Sequence, residues 1–109
     1  MTKHVLTVSS TGPSTLVIVV AGEFDADAAR ALLRTAAVAA SSGAARVEID
    51  LHGITGASLE ALLAITACRR LSAQLPDGLG FRVSRLGQQL LLASMSRDDQ
   101  PVAMSRVTA

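Results

Sequence analysis

The sequence predicts an α/β fold: a single domain, residues 1–109, with a mixed sheet of four to five strands and helices packed against it. Three observations carry this prediction. Short β-branched runs alternate along the chain with longer Ala/Leu-rich stretches of helical period. A strand–helix–strand order recurs, which implies right-handed crossovers and parallel neighbours. The stretch Val47 to Leu63 passes from a β-rich run through a two-glycine loop (Gly53, Gly56) straight into a helix start. Backbone N–H groups and the positive end of a helix dipole converge in such a place, so the rest of the chain is expected to be organised around it.

The elements follow in order. His4 to Ser9 reads as a first strand, and Ser9 to Ser14, with Gly12-Pro13, as a turn. Leu16 to Val20 is a dense apolar run of the kind buried on both faces, and the two strands make a hairpin. Gly22 ends the second strand and Asp25 caps the first helix, Ala26 to Ala40. Its apolar stripe is Ala29, Leu32, Leu33, Ala36, Ala37 and Ala40, and Gly43 suits the left-handed position after its end. Ala45 to Leu51 is the next strand. The second helix, Leu59 to Ala73, is apolar nearly all round. Leu59, Leu62, Leu63 and Thr66 lie on one side, and Ala61, Ala64, Ile65 and Cys68 on another. One side must be core; the other is covered by a neighbour or offered to a partner. Leu79 to Val83, a third helix from Leu86 to Met95, and a last strand from Val102 to Val107 complete the reading.

Composition excludes several functions. At 109 residues the chain can fill one core. Half the residues are hydrophobic but the aromatics are Phe24 and Phe81 alone, so the core is built from Ala, Leu, Val and Ile. A net charge of +1, no long Lys/Arg run and no Trp or Tyr argue against nucleic-acid binding. Cys68 is the single cysteine, which excludes an internal disulfide, and its expected role is a small core residue. The longest apolar run, Leu16 to Ala21, is too short to span a membrane, and no signal-peptide pattern follows Lys3 and His4. A cytoplasmic protein with no membrane contact is expected. No paired carboxylates, no phosphate-cradling glycine loop with Lys and no Ser/His/Asp set suggest an enzyme. With His4 and His52 as the only histidines, no metal and no cofactor are expected.

Two stretches resemble a known family. Gly22-Glu23-Phe24-Asp25 after an apolar strand is similar to the Gly-Glu-Leu-Asp of the STAS domain, the fold of bacterial anti-sigma factor antagonists. Arg46 to Thr55, containing Asp50-Leu51-His52-Gly53-Ile54-Thr55, resembles the same family's strand ending in Asp-Leu-Ser-Gly-Val-Thr. The resemblance runs from about Val5 to Met95. It implies a binding protein whose partner is an anti-sigma factor that is also a serine kinase. In typical members an Asp-Ser-Ser-Gly motif opens the second helix, and phosphorylation of its first serine ends the interaction. A phosphate adds negative charge that suits a helix N-terminus but repels a docked partner. The family also carries a further C-terminal helix, which would here be shortened or lost. The surface thus left open would favour a homodimer.

The sequence departs from the family at the switch. Laid without gaps, Ser58 falls on the motif Asp, and Leu59-Glu60-Ala61 replace Ser-Ser-Gly. The usual acceptor is therefore missing, and Ser58 and Thr55 are the candidate phosphoacceptors at the helix start. A helix cap is the more frequent meaning of such a serine. Glu60 mimics the charge of a modified serine or compensates the helix dipole. The expected partner-binding surface comprises Glu23, Asp25, Ile54, Gly56, Ser58, Leu59, Glu60, Leu62 and Leu63. The rival readings are a small-molecule or nucleotide-sensing domain with a pocket at Gly53 to Gly56, and a scaffold paralogue without phosphorylation.

Overall fold

The computed structural model describes residues 4–12 and 14–94. Four strands form one mixed sheet in the order β1-β2-β3-β4: β1 His4–Ser10, β2 Thr15–Phe24, β3 Arg46–Ala57 and β4 Leu79–Arg82. β1 and β2 form the expected antiparallel hairpin, and β2–β3 and β3–β4 are parallel. The crossovers run through α1 (Ala26–Ser41) and α2 (Leu59–Leu71), the latter continued by a 3-10 turn at Ser72–Gln74. A third helix, α3, spans 85–94. Met95 and the strand expected at Val102 to Val107 lie outside the described residues.

The core lies between the sheet and α1 and α2, which pack side by side. Ile18 and Val20 of β2 and Val47, Ile49 and Leu51 of β3 point into it and are fully buried. Phe24 and Leu32 fill it from the end of β2 and from α1. The inward stripe of α1 is Ala28, Ala29, Leu32, Ala36 and Ala39; Ala37, placed on the stripe by spacing, is exposed. α1 ends in a Schellman arrangement. Gly43 has φ 93° and the Ala44 N–H reaches the Ala39 carbonyl at 3.1 Å. α2 turns its small side to the core: Ala61, Ala64, Ile65 and Cys68 are buried. Burial pushes the Cys68 thiol up to about 12, so it stays protonated and inert.

Gly22, Gly53 and Gly56 lie in strands and not in the expected loop positions; β2 runs on to Phe24 and β3 to Ala57. β3 carries two extra residues against β2. Val19↔Asp50 is followed by Ala21↔Gly53, and Gly22↔Ile54 by Glu23↔Gly56. These bulges absorb the glycines into the ladder. They also break the two-residue alternation, so Leu51 and Ile54, three apart, both face inward. Gly22 takes φ 86° at this place. At Gly53 a Cβ would sit 3.0 Å from the Ala21 Cβ, closer than side chains pack.

On the face opposite the helices, charge holds the short β4 to β3. Glu48 accepts from Arg46 Nε at 3.2 Å and pairs with Arg82 Nη2 at 2.6 Å. The same Arg46 donates to the Asp77 carbonyl at 2.9 Å, anchoring the turn before β4. Gly80 leaves room for the Arg46 guanidinium, into which any Cβ would run. The Arg46 hydrogen bond, followed by the charges of Arg82 and Arg46, holds the Glu48 carboxyl below its ordinary value of 4.5. A carboxyl lowered on folding stabilises the fold above its unfolded value, and this contribution disappears as the pH falls through the folded one. Glu48→Gln is therefore expected to reduce thermal stability at neutral pH and to flatten the loss of stability below pH 4.5. Melting temperatures of both proteins against pH measure this.

Candidate functional site

The register of β2 on β3 builds the site. Their last residues, Phe24 and Ala57, are paired, so the two strands stop side by side. Each is followed at once by a helix cap, Asp25 for α1 and Ser58 for α2. Two helix N-termini therefore emerge together at one edge of the sheet. Asp25 Oδ1 accepts from the Ala28 N–H at 2.9 Å, and His4 Nδ1 lies 3.6 Å from the same oxygen. Sequence spacing gave no sign of this last pairing, which depends on β1 lying antiparallel to β2.

Ser58 is more than a cap. Its Oγ accepts from the Ala61 N–H at 3.3 Å and donates to the Phe24 carbonyl at 3.2 Å. Its own N–H reaches the same carbonyl at 3.0 Å. The residue is half-buried and ties the start of α2 to the end of β2. Thr55, by contrast, is exposed.

The structure brings together most of the residues expected to meet a partner. Glu23, Asp25, Thr55, Gly56 and Ser58 line one shallow cleft of about 340 Å³. Beside it the first turns of α2 show Glu60, with Leu59 and Leu63 56% and 46% exposed and Leu62 partly buried. Ile54 does not join them. It is only 6% exposed and belongs to the core, because the β3 bulge turns it inward. The positive ends of both helices are already met by the acidic side chains Asp25, Asp27 and Glu60. An anion would find these carboxylates at the rim, which argues against a nucleotide or phosphate ligand.

His52 serves the strand. Its N–H donates to Asp50 Oδ1 at 2.9 Å and its Nδ1 lies 3.0 Å from the same oxygen. These bonds, the backbone one first, lower the Asp50 carboxyl below its usual range. Among the described residues no three His, Cys, Asp or Glu side chains gather as metal ligands. No helix among them is long and apolar enough to cross a membrane.

This is the fold of the STAS class, with a mixed four-stranded sheet and three helices among the described residues. Solved structures of that kind resemble the chain over most of its length. An anti-sigma factor antagonist from Mycobacterium paratuberculosis superimposes with a TM-score of 0.68 at 18% identity, covering 86% of this chain and 80% of the other. The antagonist SpoIIAA in its unphosphorylated form gives 0.67 at 14% identity, over 81% and 82%. The Bacillus cell fate determinant SpoIIAA in its phosphorylated form gives 0.63 at 19%, over 83% of each chain. No family model matches the sequence, and no curated protein matches it either.

The cap geometry has a measurable consequence. Ser58→Ala removes both side-chain bonds and is expected to cost about 1 kcal/mol, a fall in Tm of roughly 4–8 °C for a domain of this size. Ser58→Asp restores the cap acceptor but has no proton to donate to the Phe24 carbonyl, and is expected to recover only part of that loss. Thermal melts of the three proteins decide it.

Proposed function

We propose that the chain is a cytoplasmic regulator of the anti-sigma factor antagonist type, which works by binding a protein and turns over no substrate. Its partner is an anti-sigma factor of the serine-kinase kind. The contact surface is the cleft rim of Glu23, Asp25, Gly56 and Ser58 with the outer face of α2, namely Leu59, Glu60, Leu62 and Leu63. The observation that carries this reading is the pair of exposed leucines at the start of α2, set beside an acidic rim and left uncovered by the third helix. Apolar side chains flanked by charge are the usual make-up of a docking surface. The structural likeness to two antagonists of this type supports the same role.

Binding here proceeds without the usual phosphoswitch. Laid without gaps, the acceptor position of the family motif falls on Leu59, and the neighbouring Ser58 hydroxyl is engaged on both sides. Transfer of a phosphate to Ser58 would break its bond to the Phe24 carbonyl. Thr55 is the exposed hydroxyl nearby and the alternative acceptor. The small-molecule reading loses support, because Gly53 and Gly56 belong to a paired strand and the adjoining cleft is open and small.

Affinity capture from the native cell, followed by mass spectrometry, tests the proposal. An anti-sigma factor is expected on the wild-type protein, with roughly tenfold or greater loss on Leu63→Asp and on Glu60→Lys. Both side chains are exposed, so circular dichroism should show unchanged folding. Unaltered recovery with both variants would remove this surface from consideration. Incubating the captured partner and ATP with the wild-type chain should leave Ser58 and Thr55 without phosphate. A phosphate on either one would restore the switch.

A further inference from the structure

The outer edge of β1 is built differently from a protected sheet edge. β1 lies at one end of the sheet and pairs with β2 over seven unbroken positions, His4↔Gly22 to Ser10↔Leu16, with no bulge. From Val5 to Ser10 it contains no charged residue and no proline. Natural edges are usually guarded by charge, proline, a bulge or a very short strand, and this one has none of these. Val5 is 62% exposed and Val8 43%, while Val38 of α1, 57% exposed, lines a hollow of about 550 Å³ together with Val8 and Leu16. None of these residues belongs to the contact surface proposed above.

The register decides which backbone groups are offered. The Thr11 N–H bonds to the Thr15 carbonyl at 3.1 Å, in the same register as the seven strand pairs. Antiparallel ladders alternate bonded and non-bonded pairs. Val5, Thr7 and Ser9 therefore direct their N–H and C=O groups to β2. His4, Leu6, Val8 and Ser10 direct theirs outward.

We propose that this edge pairs with the same edge of a second copy of the chain, β1 against β1 antiparallel about Thr7, extending the sheet across a two-fold axis. In that register His4 meets Ser10 and Leu6 meets Val8, and all four are outward residues, so each pair exchanges two backbone hydrogen bonds. Leu6 and Val8 share the helix side of the sheet, since their β2 partners Val20 and Ile18 point into the core. Each exposed Val8 gains an apolar cross-strand neighbour. Because Val5 to Ser10 is uncharged, the self-pairing sets no like charges opposite one another, and Thr7 faces Thr7. An isologous contact of this kind closes on itself and leaves no new edge at β1. The inference is independent of the partner-binding reading.

Sedimentation of the full chain across the micromolar range tests it. The expected species has twice the 11.2 kDa mass of the chain. Val8→Lys sets a charge against Leu6 of the other copy, and Val8→Pro removes an outward donor without touching a β1–β2 bond. Both are expected to weaken self-association roughly tenfold or more with unchanged circular dichroism. Hydrogen exchange supplies a second readout: the amides of Leu6 and Val8 should be protected in the wild type and both fast in Val8→Lys, and the Leu6 amide should be fast in Val8→Pro, which has no amide at position 8, while Thr7 and Ser9 stay protected in all three. A monomeric wild type overturns the proposal, as does a dimer that survives both substitutions. So does a dimer that Leu63→Asp dissociates, since the contact would then lie on α2. Protected Leu6 and Val8 amides in a monomer would also overturn it, because the chain's own residues would then cover the edge.

Discussion

One carbonyl holds the site together. The Phe24 oxygen receives both the N–H and the hydroxyl proton of Ser58, and so joins the last residue of one parallel strand to the first cap of the helix that follows the other. Parallel strands alone would bring the two helix starts to the same edge of the sheet. The shared carbonyl fixes how closely they meet there. Asp25, the residue after Phe24, caps α1, so a shift of the β2 end would disturb both helices at once. The acidic rim, the shallow cleft and the exposed leucines of α2 all take their positions from this junction.

The core leaves that junction free to serve a surface. α2 carries two apolar sides, and side-chain size decides between them. Ala61, Ala64 and Cys68 are small enough to let α2 lie close against α1 and the sheet, whereas Leu59 and Leu63 would hold it away. Placing the small side inward gives a close-packed interior and leaves the large side in water. Exposing two leucines has a solvation cost, which binding a partner would offset. The face left outside is thus a consequence of packing, and it lies beside the paired helix caps.

Much of this was legible in the sequence, for identifiable reasons. β-Branched runs and helical stripes report burial directly, so the strands at Val5, Ile18, Ile49 and Phe81 and the helices at Leu32 and Ile65 were read in the right order. Asp25 and Ser58 were legible as caps because a short polar side chain before an apolar helical stretch has few other uses. The glycines misled. Gly22, Gly53 and Gly56 disfavour strands when read one at a time, yet here they sit at bulges whose existence depends on two strands of unequal residue count lying together. The same bulges moved Ile54 from the expected partner surface into the core. The Arg46–Glu48–Arg82 set and the approach of His4 to Asp25 were out of reach for a related reason, since each joins residues through strand register.

Charge and apolarity are distributed over the molecule in a way that separates its surfaces. The face of the sheet away from the helices is occupied by ion pairs among Arg46, Glu48 and Arg82 and by Asp50 with His52, which satisfy one another. The crest at Ser58 combines carboxylates with exposed leucines, a mixture suited to a partner bearing both basic and apolar side chains. The β1 edge is uncharged and offers backbone groups in a self-matching register. On the two proposals, each surface would select by a different physical term: electrostatics and apolar contact at the crest, main-chain hydrogen bonding at the edge. Because β2 lies between the edge and β3, a second copy paired to β1 would extend the sheet away from α2 and would leave the Leu59–Leu63 face open to the proposed partner.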